Sequence, residues 1–292
     1  MTYFSPHKIF FAAIALILMF SSSYLYAEDA SVKTEKSSGR LEYKEATLMN
    51  LSQLYWKMNR LDLENDDHID LFLLINECDI YHDYIHNEFQ WGEIREIARK
   101  KIEKETKTDF SARMKFVQPL KLGDYNYYKN GFEIVSNYKV NEVRRFEIKS
   151  IDYKKDTCTY SSQAVFKGYP KGVLAELSRP VDLEVLPMDP LVAQEYIRLK
   201  TIEMDKRSPF LKRQGTVEDA REVYIVMFVR FFSSVGDHYS EKENRPFAKL
   251  LGVLEKIEVY DDLALSELLY SENYSRLKRK RCLLYTSDAA DE

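Results

Sequence analysis

The sequence predicts an α+β fold: N-terminal helices, then a mostly antiparallel sheet with at least one packed helix. Three observations predict it. Apolar residues recur at spacings of three and four through the first third of the chain. From Arg113 the period shortens toward two, with turn signals between the runs. A later segment opened by Asp189-Pro190 returns to helical spacing. Helices followed by a run of strands is the pattern of a segregated α+β domain.

The first helix is expected over Tyr43 to Asn59, with Leu48, Leu51, Tyr55 and Met58 in a stripe. Asp66 and Asp67 suit the start of a second, because acids are favoured at the positive end of the helix dipole. That helix is expected to reach His86 with Leu71, Leu74, Ile75, Cys78, Tyr81 and Ile85 on one face. Asn87 is placed to cap a third, whose Phe89, Ile94, Ile97 and Ile102 are expected to face inward. It closes in the mixed-charge run Arg99 to Lys107.

Strand signals follow. Asn130-Gly131 lies between Tyr127-Tyr128 and Phe132 to Ile134, which is a hairpin pattern. Phe146, Ile148 and Ile151 predict a strand, and Lys154 to Thr157 a turn into a partner holding Cys158. Another strand is expected over Val181 to Val185. Asp189 as cap and Pro190 as first residue start a helix to about Met204, expected to bury Val192, Tyr196, Leu199 and Ile202. The unbroken run Val223 to Val229 reads as a strand buried on both faces. A polar loop is expected from Gly236 to Pro246, and then an antiparallel partner in which Leu251, Val253, Ile257 and Val259 alternate.

The ends read differently from the body. Lys8, the apolar run Ile9 to Phe20, and small residues leading to Ala27 have the layout of a secretory signal peptide over residues 1–27. A membrane anchor is the rival, but the apolar run is short of the roughly 20 residues that span a bilayer. No later apolar stretch is long enough to span. Residues 28–40 are small, polar and charged, and read as a flexible leader. Residues 282–292, CLLYTSDAADE, correspond in order to the translation of a transposase adapter used in sequencing libraries. A single α+β domain is therefore expected over residues 41–281. The expected compartment is the periplasm or the exterior.

The 292-residue chain has 43 basic and 47 acidic side chains, a net charge of −4. Excluding both ends brings this to about −2. Such a balance argues against nucleic-acid binding, which usually shows a basic bias. With 21 Tyr and 16 Phe the chain can fill a sizeable core, and its 9 Gly disfavour glycine-rich phosphate loops. No GxxxxGK or GxGxxG occurs, and no cofactor is expected. No GxSxG elbow is present for nucleophilic catalysis.

Cys78 and Cys158 would form a disulfide in an oxidising compartment, or else sit as two separate buried thiols. Cys78, His82 and His86 recur every fourth residue on one expected helix. Thiolate and imidazole are zinc ligands. Three such residues span about 11 Å of axis at 1.5 Å per residue, so only a pair such as His82 and His86 could share an ion. In the mature chain, past the expected signal peptide, His68 and His238 are the histidines left to complete a site. Asn65-Asp66-Asp67 lacks the remaining pattern of a calcium loop and is explained by capping. Asp261-Asp262 reads as a turn. The basic run Arg276 to Arg281 could touch acidic lipid or an envelope polymer, and more often such a run is a solvated end.

Two segments, Tyr81 to Trp91 (YHDYIHNEFQW) and Leu120 to Phe132 (LKLGDYNYYKNGF), carry a resemblance. With the export signal, the chain resembles a family of uncharacterised exported bacterial proteins, a domain of unknown function. The resemblance implies export and one domain over most of the mature chain. It implies no activity and no functional residues. Three readings stand at this point. The first is a non-catalytic binding or scaffolding protein of the cell envelope, its partner an envelope protein or polymer. The second is an envelope hydrolase of peptidoglycan, sugar or peptide using acids that the sequence does not single out. The third is metal handling through His82 and His86.

Overall fold

The computed structural model describes residues 42–151, 169–206 and 221–274. The expected leader segments, Cys158 with its turn, and the terminal basic run lie outside them. The described residues belong to one unit that begins at Glu42.

A two-residue strand, β1 (Lys44–Glu45), precedes α1 (Leu48–Lys57). The helix starts later than its stripe suggests because Thr47 caps it, its hydroxyl accepting from Asn50 N at 3.1 Å. Leu48, Leu51, Leu54 and Tyr55 are buried. Asn59 closes the turn in the left-handed region, φ 52°.

The expected helix from Asp66 to His86 is two helices, α2 (Asp66–Asn76) and α3 (Cys78–Tyr84). Glu77 leaves the helical region at φ −137°, ψ 54°. Just before it, Asn76 turns its amide back to the carbonyl of Phe72 at 3.0 Å, a side-chain bond that competes with continued helix. α2 buries Ile69, Phe72, Leu73, Leu74 and Ile75, whereas α3 buries no residue fully.

Asn87 caps α4 (Glu88–Thr108) as expected, accepting from Gln90 N. The inward face differs from the one expected. Trp91, Ala98 and Ile102 are buried, while Phe89 is 91% exposed and Ile97 67%. The third and fourth residues after each buried one lie on the same side, so choosing Trp91 as the anchor rotates Phe89 and Ile97 outward. Trp91, Ala98 and Ile102 join Trp56, Ile69, Phe72, Leu73 and Phe110 in a separate helical core.

The remaining elements are β2 (Arg113–Asn126), β3 (Gly131–Ile134), β4 (Arg145–Lys149), β5 (Gly172–Leu177), β6 (Val185–Pro187), α5 (Pro190–Lys206), β7 (Glu222–Ser240), β8 (Arg245–Tyr260) and β9 (Leu268–Asn273). The sheet runs β4-β5-β8-β7-β2-β3-β6, with β1 beside β2 and β9 beside β8. The β1–β2 and β5–β8 pairs are parallel, and the others antiparallel. No helix among the described residues is long and apolar enough to cross a membrane.

Two strand expectations need correction. The stretch from Gly236 to Pro246 is not a loop: β7 continues to Ser240 and β8 starts at Arg245, leaving a four-residue turn. Irregular pairing between Ser234 and Asp237 accommodates Gly236, whose φ of 111° suits glycine. Over Val181 to Val185, only Val185 enters a strand. Val181 instead exchanges backbone bonds with the loop before β4, giving its N–H to Val143 O and accepting from Glu142 N.

The sheet curls far enough for the end of β4 to reach the end of β1. Ile151 N, just past β4, donates to Ala46 O, just past β1, at 3.0 Å. Backbone bonds Leu122 N to Arg221 O and Phe231 N to Ala112 O show that even-numbered residues of β2 face β7. The odd-numbered ones face the other edge. There β1 pairs as far as Lys115, and Lys121 O accepts from Val135 N. Between them the backbone of Val117 and Pro119 faces a cleft of about 610 Å³, with Glu147, Lys149 and Ile151 opposite.

Candidate functional site

Among the described residues, metal ligands are not gathered. His82 lies on α3, exposed, its ring edge-on to Tyr81 at 5.6 Å. His86 lies beyond the end of α3 and is also exposed. Cys78 and His82 share α3, and His86 falls past its end. No three metal-capable side chains come together among the described residues. His68 and His238 go elsewhere: His68 Nδ1 accepts from Asp62 N at 2.9 Å, and His238 Nε2 meets Glu147 Oε1 at 2.9 Å. Cys78 opens α3 and is disulfide-bonded. The other cysteines, Cys158 and Cys282, lie outside the described residues.

A cleft of about 520 Å³ opens beside α2, lined by Arg60, Asp67, His68, Asp70, Tyr81 and Tyr169 among others. Converging free acids here would suit acid–base chemistry. Asp70 is instead held by Trp91 Nε1 at 3.2 Å and by Arg95 Nε at 2.7 Å, with Nη2 on its second oxygen at 2.5 Å. Such a fork holds a carboxylate in one fixed orientation. Asp66 bonds Arg95 Nη1 at 2.7 Å and Arg99. Arg60 pairs with Asp237 at 2.5 Å and lies over the Tyr55 ring. Burial, and then the Asp70 charge, raise the Tyr81 hydroxyl above its ordinary pKa.

Among the described residues, Ser240, His238 and Glu147 do meet. Ser240 Oγ donates to Glu147 Oε2 at 2.7 Å, and His238 reaches the other oxygen. The acid stands in the middle, where a nucleophilic triad requires the histidine. Ser240 is fully buried, so no substrate reaches its hydroxyl. Burial would raise the Glu147 carboxyl; the bonds from Ser240 and His238 outweigh it and leave the pKa lowered. The trio ties β4 to the far end of β7.

The surface departs most from expectation on α5. Its cap is as predicted, Asp189 Oδ1 accepting from Leu191 N at 2.9 Å. Its orientation is not. Ala193, Tyr196 and Lys200 face inward, while Val192, Leu199 and Ile202 face solvent, with Leu191 77% exposed. Polar partners explain the rotation. Lys200 Nζ lies 2.7 Å from Asp261 Oδ2, and Tyr196 OH donates to Asp261 Oδ1 at 3.0 Å. The Tyr196 ring packs edge-on to Phe132 at 5.6 Å. Asp261 therefore anchors the helix as well as opening a turn.

Next to the start of α5 stands the β2–β3 turn. Met188 N donates to Asn130 O at 3.0 Å, and Tyr125 OH to Met188 O at 2.8 Å. At the tip Tyr128 is 99% exposed and Tyr127 76%. Both rings are held in water at the tip of a turn that is bonded to the start of α5. The Asn130-Gly131 signal already located that tip in the sequence. The outward turn of α5 had no comparable signal.

Residues 64–199 match the family described as Domain of unknown function (DUF4852). The DUF4852 region runs from the loop before α2 to Leu199 on α5, and so includes the Tyr127–Tyr128 tip and most of the exposed stripe. It covers a little over half of residues 28–281. The DUF4852 description carries neither export nor a bacterial source. No curated protein and no solved structure matches the chain.

Proposed function

We propose that this is an exported, non-catalytic binding or scaffolding protein of the bacterial cell envelope, and that it works through the face formed by α5 and the Tyr127–Tyr128 turn. The observation that carries the reading is the exposed apolar stripe Leu191, Val192, Leu199 and Ile202 beside two exposed tyrosines. Water contact with such a stripe costs about 25 cal/mol per Å², which a partner's surface would recover. Export rests on the leader pattern over residues 1–27. The hydrolase reading has less support, because Asp66, Asp70, Glu255 and Asp261 are each held by hydrogen bonds or cations.

The test is site-specific photocrosslinking in cells. A benzophenone amino acid replaces Leu199 or Tyr128 in the full chain, with Lys107, an exposed polar position on α4, as control. Discrete adducts from Leu199 and Tyr128 and none from Lys107 are expected. Absence of any adduct at both positions would sink the reading. Mass measurement of the protein recovered from the envelope fraction checks cleavage after Ala27.

A further inference from the structure

The exposed stripe of α5 is complementary to itself about its own midpoint. We propose that a second copy of this chain docks on it, with the two α5 helices antiparallel. The proposal rests on the binding reading above and names the partner.

At 3.6 residues per turn, Leu191, Glu195, Arg198 and Ile202 fall along one line of the 17-residue helix, opposite the buried Ala193, Tyr196 and Lys200. Val192 and Leu199 lie together on one side of that line, about a quarter-turn away. A twofold axis crossing between Tyr196 and Ile197 brings position 191 opposite position 202, and 195 opposite 198. Leu191 of each copy then meets Ile202 of the other, and Glu195 meets Arg198, each contact made twice. Apolar ends face apolar ends and opposite charges face each other at the centre, as a self-complementary twofold interface requires.

The charges select this arrangement over its neighbours. Parallel helices would set Glu195 on Glu195 and Arg198 on Arg198. A slide of one turn would set Leu191 against Arg198. Within each helix Glu195 and Arg198 already bond at 2.7 and 2.6 Å. Both are more than half exposed, so a second pair can join them as a four-charge ring.

One helix pair alone covers roughly half of the ~800 Å² per partner typical of a stable interface. The β2–β3 turn adds to it. Because Asn130 is bonded to Met188, each Tyr127–Tyr128 tip stands near the α5 start, beside the Ile202 end of the other copy. Association in the micromolar range is the expected strength.

Sedimentation velocity of the full chain tests the proposal. Wild type is expected to shift from monomer to dimer with concentration. E195R and R198E are each expected to weaken self-association about tenfold or more, because both central contacts become like-charged. An equimolar mixture of the two variants restores opposite charges at both contacts and is expected to form the heterodimer. E195R/R198E in one chain is expected to dimerise as wild type does. Both positions are solvent-exposed, and unchanged melting temperatures would show that the variants fold. A wild type that stays monomeric, or variants that do not recover on mixing, would overturn the proposal. A monomeric wild type whose Leu199 crosslinks to a chain of different mass would overturn only the second-copy assignment. Absence of crosslinks would overturn the binding face itself.

Discussion

Glu255 gathers three donors on one carboxylate. Tyr43 OH and Arg113 Nε reach Oε2 at 2.8 and 2.9 Å, and Arg230 Nε reaches Oε1 at 2.9 Å. Burial alone would raise its pKa; the bonds from Tyr43, Arg113 and Arg230 outweigh that and lower it. Tyr43 is pushed up to about 12, by burial first and then by Glu255. A carboxyl whose folded pKa is lowered adds stability above its ordinary pKa and loses it as pH falls through the folded value. Replacing it with Gln leaves two guanidinium groups without a counter-charge. E255Q is expected to lose about 2–3 kcal/mol at neutral pH, and less of that as the medium is acidified below pH 4. Urea denaturation of both proteins between pH 3 and about 7 measures this difference, and a constant gap would contradict it. None of this cluster was legible in the sequence, because its members come from four separate stretches and each is a common surface residue type. The same holds for Lys200: a lysine inside an apolar stripe reads as solvent-facing unless its acid, sixty-one residues away, is already in view.

Where a few neighbouring residues decide, the sequence was informative. Caps at Asn87 and Asp189 sit where expected, as does the Asn130-Gly131 turn. Asn130 has φ 49°, and a Cβ on Gly131 would lie 2.5 Å from Leu186 O, so this position excludes any side chain. D189A removes the cap acceptor of α5 and is expected to cost about 1 kcal/mol. Thermal melts of D189A and the conservative D189S separate capping from charge, since serine retains an acceptor and should recover most of the loss. Which side of a helix faces inward was less legible. α5 carries apolar residues on two sides, and periodicity offers both stripes equally. Hydrogen bonds from Tyr196 and Lys200 to Asp261 decide between them. On α4 the large indole of Trp91, donating to Asp70, outweighs Phe89. The break at Glu77 likewise depends on one side-chain bond.

For the molecule as a whole, the order of helices before sheet was legible because it follows from where the period changes. The curl was not, since it depends on Ala46 meeting Ile151 across the sheet. Disulfide bonding of Cys78 adds a further long-range tie. We propose Cys158 as its partner, consistent with an oxidising compartment. A non-reducing peptide map should then show one linked fragment containing both residues. Reduction should destabilise the fold by about 4 kcal/mol for a closed loop of about 80 residues. A linkage to Cys282, or a free thiol at Cys78, would refute the pairing.

The short interval of β2 between its two flanking neighbours is where this protein would stack on itself if overloaded. An uncovered strand margin templates fibrils by offering a row of donors and acceptors. Here that row is shortened to Val117, and the following outward position is Pro119, whose ring nitrogen has no proton to donate. Concentrated preparations should therefore resist amyloid-type growth from this flank, with one imino acid serving as the barrier.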